Sequence, residues 1–394
     1  MSPGWRTLPR DLWRLTAADF VLRAAYQMGK TPLLPIYAAM LGASEILIGL
    51  VVSISTTTGL LLKPLFGLLS DRMGRKLWLM IGLAIFSTVP FLYQLIDSAE
   101  ELFALRLLHG LATAIFGPVG LAYVAEMGAE RRAERIGVFG MARIGGYWIG
   151  PIAGAALLTH LPPETVFTII GFASLLALAP MAFLEDRAPK PRRPLVASLR
   201  INLANLRQST AFWLGAGLET SVHVATYALK AFLPVYALTV GGHNLLLVGA
   251  FFSLQELAHL TMRPVGGRLA DRLGPATPMQ TGLFALAAAL LLLPHAQGPA
   301  QLLALAAAIG ASLAFILPAN LSLLTAEAPP EGLGFGMGAL GAMRNFGKIA
   351  GPVAGGAVVA YSDYATLFSV AALFTLALGL ALALVSAGRM RKAG

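Results

Sequence analysis

The sequence predicts an all-α membrane protein of twelve transmembrane helices arranged in two pseudo-symmetric six-helix halves. Three observations predict it. Apolar residues make up 57% of the chain and charged residues only 12%, whereas a soluble domain of this length would cover its surface with far more charge. A stretch near the start of the chain, KPLFGLLSDRMGRK from Lys63 to Lys76, returns two hundred residues later as RPVGGRLADRLG. Pro64, Gly67, Leu69, Asp71, Arg72 and Gly74 are matched there by Pro264, Gly267, Leu269, Asp271, Arg272 and Gly274, so the chain is a duplicated object. Finally, cations and apolar runs alternate along the chain in a regular way.

A membrane helix needs about 20 apolar residues, and cutting the chain at its polar turns gives twelve. The predicted spans are 16–39, 45–67, 77–95, 101–125, 136–158, 165–184, 211–238, 245–266, 277–295, 302–325, 334–360 and 364–386. The segment 185–210, with Pro189, Pro191, Pro194 and a run of arginines, is the extended polar stretch that separates 1–184 from 211–394. It reads as a cytoplasmic linker with a short surface helix near Leu195 to Leu206. Parallel six-helix halves place a transport path at their interface near the bilayer midplane. The duplication recurs away from the opening motif, since Gly110 and Pro118 of helix 4 stand at the same offset from Gly310 and Pro318 of helix 10.

The net charge of +10 raises the question of a polyanionic partner, and the positions of the cations answer it. They gather at Arg6, Arg10 and Arg14, at Arg72, Arg75 and Lys76, at Arg131, Arg132 and Arg135, through Arg187 to Arg207, at Arg268 and Arg272, and at Arg389, Arg391 and Lys392. The turns between, DSAE, THLPPE, GGHN, AQGPAQ and YSDY, contain none. By the positive-inside rule both termini are expected in the cytoplasm of a plasma (inner) membrane protein. The charge reports orientation, and no nucleic-acid partner is expected. Without cysteine, disulfides and thiolate metal sites are excluded. The first residues, MSPGWRTLPRDLWRL, have no long apolar run ending in a small-residue site, so no removable signal peptide is expected.

With the repeat and its placement in hand, the stretch Gly67-x-Leu69-Ser70-Asp71-Arg72-x-Gly74-Arg75-Lys76 resembles the cytoplasmic loop 2-3 signature of the major facilitator superfamily. Gly267 to Gly274 resembles its weaker echo in loop 8-9. The motif is expected in a short polar turn between two membrane helices. The resemblance implies that Asp71, Arg72, Arg75, Asp271 and Arg272 latch the cytoplasmic side during alternating access. It also implies a monomer.

Helix 5 carries Gly137, Gly146, Gly150, Pro151 and Gly154, and helix 11 carries Gly338, Gly347, Gly351, Pro352, Gly355 and Gly356. Small residues at this spacing let backbones approach closely, and an interior proline bends its helix. The array in helix 11 resembles in full the antiporter signature of exporters in the superfamily; helix 5, where the family usually carries it, ends instead in Gly154-Ala155. Leu105-Arg106-x-x-His109-Gly110 in helix 4 resembles the Arg-x-x-Gln-Gly element of the drug and metabolite antiporters, with His109 in place of Gln. Ala306 stands opposite Arg106 in the second half, so the element is not part of the repeated scaffold.

Nine cations fall within or at the ends of the predicted helices: Arg23, Lys30, Lys63, Arg106, Arg143, Lys230, Arg263, Arg344 and Lys348. Each costs about 2.5–3.5 kcal/mol at a lipid-facing helix centre, so it must face a cavity, find a partner or snorkel. Snorkelling suits Lys63 and Arg263. Helix 1 presents Asp19, Arg23, Gln27 and Lys30, and helix 7 presents Glu219, His223, Tyr227 and Lys230. At about 100° per residue each set spans an arc of about 80°, one polar stripe per helix. In the family resembled, helices 1, 4, 7 and 10 line the central cavity. Arg23, Gln27, Lys30, Arg106, His109, Tyr227, Lys230, Arg344 and Lys348 are therefore the candidate substrate contacts, with salt-bridge partnership the alternative for the cations. Helix 8 adds Glu256, His259 and Arg263 on one face. Glu256, Glu219 and Asp19, in that order, are the candidate proton carriers, with His223 and His259 as relays; a static Glu–His or Glu–Arg pair is the alternative.

These features point to a secondary transporter and not an enzyme: a proton-coupled antiporter that exports an amphipathic drug or metabolite, or a facilitator or flippase for an amphipathic anion or lysolipid without proton coupling. The depth at which many cation-exporting antiporters carry an acid in helix 1 holds Gln27 and Lys30 here, which favours an anionic, zwitterionic or amphipathic substrate. No cofactor is expected. Gly336-x-Gly338-x-x-Gly341 fits a dinucleotide fingerprint but opens an apolar helix with no strand before it, and Gly29-Lys30-Thr31 lacks the first glycine of a phosphate loop. Any pumping would use an ion gradient. The six histidines have no metal-ligand spacing.

Overall fold

In a computed structural model, residues 8–128, 131–186, 207, 209–327 and 333–393 are described, and among them the regular structure is helical without strands. Among the described residues twelve helical rods follow one another. α1 runs Arg10–Met28, passes through a π-helical turn at Gly29–Leu33 and continues as Leu34–Met40. Then come α2 (Glu45–Met73), α3 (Arg75–Thr88, with a 3-10 extension Val89–Leu95) and α4 (Ala99–Ala125). α5 is Arg132–Leu158, and α6 is Pro163–Leu175 continued by Leu178–Ala182. The second set is α7 (Thr210–Thr239), α8 (Leu245–Leu273), α9 (Ala276–Leu292, extended by Leu293–His295), α10 (Pro299–Glu327), α11 (Leu333–Tyr361) and α12 (Tyr364–Ala393).

Eight of these, α2, α3, α4, α6, α8, α9, α10 and α12, are long and apolar enough to cross a membrane by length and composition. The other four, α1, α5, α7 and α11, hold interior cations and the two glycine arrays. The residues most informative about function are what dilute their hydropathy.

The chain forms two compact units, Met1–Pro191 and Arg192–Gly394. The linker expected at 185–210 lies largely outside the described residues, as does the surface helix near Leu195 to Leu206. Within each unit the same pairs pack: α1 on α5 and α2 on α4 in the first, α7 on α11 and α8 on α10 in the second. The first unit's core gathers Leu12, Leu15, Leu22, Leu79, Phe116, Tyr123 and Met181 from α1, α3, α4 and α6.

Five helix starts among the described residues are set by local side chains. Ser44, Ser209 and Asn244 each accept a hydrogen bond from the backbone N–H three residues on, and Ser98 with Glu101 forms a reciprocal capping box. Asp363 caps α12 through the N–H of Thr366, a bond that holds its carboxyl below the ordinary carboxylate range.

Two expectations are corrected here. The repeated motif does not sit in a polar turn. α2 and α8 run on through Pro64 and Pro264 to Met73 and Leu273, so both aspartates lie on the last helical turns and the connection is Gly74 alone in the first copy and Gly274-Pro275 in the second. Gly74 (φ 95°) and Gly274 (φ 78°) adopt the left-handed side of φ space that only glycine enters freely, and this ends each helix. Leucines between the motif's charges are good helix formers, and arginine suits the last turn of a helix, so the charges do not break it. Helix 1 is likewise not continuous across 16–39. Pro32 lacks an N–H and disfavours the helical region for its predecessor, and Thr31 is extended at φ −143°, ψ 119°.

Candidate functional site

In the first unit the polar residues converge on Arg106. This side chain is 1% exposed, about two turns into α4, and its hydrogen-bond partners are uncharged. Nη2 donates to Ser55 Oγ at 2.8 Å and to Tyr26 Oη at 3.3 Å, while Nη1 donates to Tyr93 Oη at 3.4 Å. Nη1 also stands 3.5 Å from His109 Nδ1, and Tyr93 Oη stands 3.4 Å from that nitrogen. With donors on Nδ1, the ring proton of His109 belongs on Nε2, which is buried without a hydrogen-bond partner. The Tyr26 and Phe86 rings stand edge-on to His109 at 5.2 and 5.8 Å. Lys30 lies over the face of Tyr26, 5.5 Å from its centroid.

Asp19 and Arg23 pair along α1 at 3.4 Å, both buried. Gln27 is buried on the face of α1 that meets α5, where a Cβ added at Gly150 would stand 2.5 Å from the Gln27 Cβ. Gly146 meets Ala24 and Arg23 in the same way. Pro151 follows Gly150 within the helix. Arg23, Gln27, Lys30, Arg106 and His109 are thus divided between a seam, an ion pair and a cluster. Tyr26, Ser55 and Tyr93, which complete the cluster, were missed because isolated hydroxyl residues in apolar helices carry no spacing signal.

The second unit is built from ion pairs. Glu219, 1% exposed, accepts from Arg344 Nε of α11 at 2.5 Å and from Asn320 Nδ2 of α10 at 3.0 Å. His223 Nδ1 donates to the carbonyl of Glu219 at 2.7 Å and stands 3.8 Å from its carboxylate. About two turns farther along α7, Lys230 Nζ donates to Glu256 of α8 at 2.8 Å, with His259 Nδ1 3.9 Å from the same carboxylate. The two acids are spanned by Tyr227, whose ring lies under Lys230 at 5.3 Å and Lys348 at 5.0 Å. The single polar stripe expected on α7 is therefore shared out, its lower end to α10 and α11 and its upper end to α8. Arg263 is exposed farther along α8. Gly347 and Gly351 of α11 pack on the backbone of Thr220 and Val224, with Pro352 next in the helix, and Thr220 Oγ1 donates across the seam to the carbonyl of Met343 at 3.1 Å. Asn320 was missed, since one amide in an apolar helix gives no pattern.

At the repeated motif the two copies differ. Arg75 is 3% exposed and pairs with Asp71 and with Glu126 at the end of α4, the latter at 2.8 Å, while Nη1 donates to Ser70 Oγ at 2.5 Å. Arg72 is exposed. In the second copy Pro275 occupies the place of Arg75 and Ala326 that of Glu126, and Asp271 and Arg272 are exposed.

The sequence model of the Major Facilitator Superfamily matches residues 20–300 and 248–393. The chain belongs to the Major Facilitator Superfamily. It is 28% identical to multidrug resistance protein MdtG of Serratia proteamaculans, over 93% of this chain and 91% of that protein. It is 27% identical to MdtG of Yersinia enterocolitica, over 95% and 92%. Among solved structures it resembles the peptide transporter POT in complex with sulfate (TM-score 0.78, 17% identity, 97% of this chain and 95% of that one). The nucleoside transporter NupG is similar as well (TM-score 0.77, 16% identity, 94% and 98%). Membership in the superfamily makes the protein an integral membrane transporter of small molecules, not an enzyme, and the solved structures share its fold.

Proposed function

We propose that this superfamily member is a proton-coupled multidrug antiporter that exports amphipathic small molecules by alternating access. The carrying observation is the pair of carboxylates, Glu219 and Glu256, each held within membrane-embedded helices by a cation from a neighbouring helix. Full-length likeness to proteins named for multidrug resistance supports the choice of substrate class. Ionisable groups at such depth are expensive, and transporters keep them where ions or substrates pass.

The chemistry follows from the pairs. With Glu256 ionised, Lys230 is neutralised and Tyr227 offers an aromatic face to a substrate's apolar body. A proton arriving on Glu256 removes the carboxylate's charge and leaves Lys230 as an uncompensated cation beside that face, a costly arrangement in low dielectric. Substrate then leaves as the proton enters. Glu219 sets the second pair, and its exchange of Arg344 for a proton loosens α7 from α11. The halves 1–184 and 211–394 rock about the path between them, termini in the cytoplasm, and Arg75 with Asp71 and Glu126 stabilises the state in which that side is closed. Such a latch works only through a difference in interaction between the two states.

The test is transport by purified protein in liposomes, with a fluorescent lipophilic dye as substrate and a pH-sensitive dye reporting proton flux. A pH gradient is expected to drive dye against its own gradient, and Glu256→Gln is expected to bind dye while moving no protons. Dye movement that is the same with and without the gradient, and carries no proton flux, would leave a facilitator and overturn the reading.

A further inference from the structure

A cavity of about 480 Å³ opens between α7, α9, α10 and α12, wholly within the second unit. It lies at the end of the unit where α7 and α9 begin and α10 and α12 finish, beside the repeated motif. Trp213, Leu218, Met279, Asn320, Leu323 and Leu382 are among its walls, and among the described residues no charged side chain lines it. Its volume is within the range of about 300–1,000 Å³ typical of small-molecule sites.

The duplicated fold supplies an internal control. In the first unit the position of Leu323 is taken by Tyr123, which is fully buried among Leu15, Leu79 and Met181. Its hydroxyl reaches the Asp11 carboxylate at 2.7 Å and the Glu185 carbonyl at 2.8 Å. In the second unit Leu323 has no hydroxyl, Ala211 and Val385 stand where Asp11 and Glu185 do, and Ala381 replaces the longer Met181. The plug is absent and a cavity is left. Asn320, where the first unit has Gly120, adds a polar group to the wall. Asn320 is 1% exposed; its Nδ2 is spent on the Gly215 carbonyl and on Glu219, and its Oδ1 is buried with no hydrogen bond to accept. A buried acceptor left unsatisfied is destabilising, and this one belongs to a residue of the cavity wall.

We propose that this cavity binds a neutral amphiphile, its apolar body between the four helices and one hydroxyl or amide N–H donated to Asn320 Oδ1. Neutrality follows from the walls, because a charged group would be desolvated there with nothing to pair it. One donor answers Asn320 Oδ1, which among the described lining residues is the buried side-chain atom without a hydrogen bond; the hydroxyls of Ser221 and Ser386 are other polar groups of the wall. Occupancy would fix Asn320 in the orientation that grips Glu219, so the site communicates with the ion pair on α7.

The experiment uses the intact protein in phosphatidylcholine vesicles and a monoacylglycerol carrying a diazirine in its chain, with the crosslinked residues read by mass spectrometry. Labelling is expected to saturate and to fall on α7, α9 and α12 at residues of the cavity. The methyl ester of the same chain, which has no donor, is expected to label about tenfold less, the equivalent of one hydrogen bond. Leu323→Tyr and Ala381→Met, each restoring part of the first unit's plug, are expected to reduce labelling similarly with unfolding temperatures maintained. Label that spreads over the outer faces of the helices in proportion to concentration, equal for ester and monoacylglycerol and indifferent to both substitutions, would overturn the proposal. Displacement of the label by the transport dye assigns the occupant to the exported compounds, and its persistence assigns it to membrane lipid; either places a neutral amphiphile in the cavity.

Discussion

The two units share a scaffold and disagree about charge. Around Arg106 the first unit holds a buried cation with neutral dipoles, Ser55, Tyr26, Tyr93 and the His109 ring. In the second, Glu219 and Glu256 are held by Arg344 and Lys230. A guanidinium solvated by neutral dipoles has no carboxylate partner to lose to a proton. A carboxylate held by a cation can trade that partner for a proton. Duplication thus provided two copies of one frame, and divergence of a handful of side chains set a cation among neutral dipoles in the first and paired carboxylates with cations across helices in the second. The same division holds at the ends of the units, where the first is plugged by Tyr123 and the second is open.

If the second unit depends on paired charge, removing one partner should cost more than removing both. Arg344→Ala leaves Glu219 buried beside Asn320 and His223, and a loss of about 3 kcal/mol is expected, the low end for a broken ion pair because the Arg344 side chain is 43% exposed and water takes part of its place. Glu219→Gln combined with Arg344→Gln should recover most of it, read as unfolding temperature in one detergent at one pH. If the double variant is as unstable as Arg344→Ala, the pair is incidental to stability and the contrast between the units fails.

In the first unit the sharper question is geometry, because the dipoles around Arg106 are placed for a planar fork. Lysine keeps the charge but brings a single nitrogen, so Arg106→Lys cannot reach Ser55, Tyr26 and Tyr93 together. A loss of about 1.5–3 kcal/mol is expected, the worth of one hydrogen bond to a charged group, together with loss of dye transport. Full transport by Arg106→Lys would show that the cluster needs charge alone.

Much of this fold is legible in the sequence, and the reasons are periodic ones. Apolar runs, turn residues and alternating cations act locally, and the repeat ties one half to the other. Partnership across helices is not local. The spacing of Glu219, His223, Tyr227 and Lys230 puts them on one face of α7, but which of them meets α8 and which meets α11 depends on how the helices cross. Asn320 and Tyr26 each act alone and leave no pattern. At the motif, the sequence names a group of charges, and only packing separates the buried Arg75 from the exposed Arg72. The length of α2 escaped because a run of charges looks like a turn, while Leu-rich spacing and one left-handed glycine decide where the helix stops.

The glycine arrays let the comparison be drawn within a single helix. In α5 a Cβ at Gly150 would stand 2.5 Å from the Gln27 Cβ and 3.0 Å from the Ala24 carbonyl oxygen, whereas one at Gly137 meets nothing within 4 Å. Backbone atoms cannot rotate away, so Gly150→Ala must push α1 from α5, at a cost of about 1–3 kcal/mol. Gly137→Ala has no such neighbour and gains helix propensity, so it should stabilise by about 0.5–1 kcal/mol. The same opposition is expected in α11 between Gly351, packed on Val224 and Ala228, and Gly338, which is likewise open. Unfolding temperatures of the four alanine variants, measured side by side, decide it. Opposite signs within each helix would assign Gly150 and Gly351 to the seam and leave Gly137 and Gly338 outside it. Four equal losses would mean that the arrays serve the bending of the helices and not their close approach, since a bend would use every glycine in the row regardless of what its Cβ would meet.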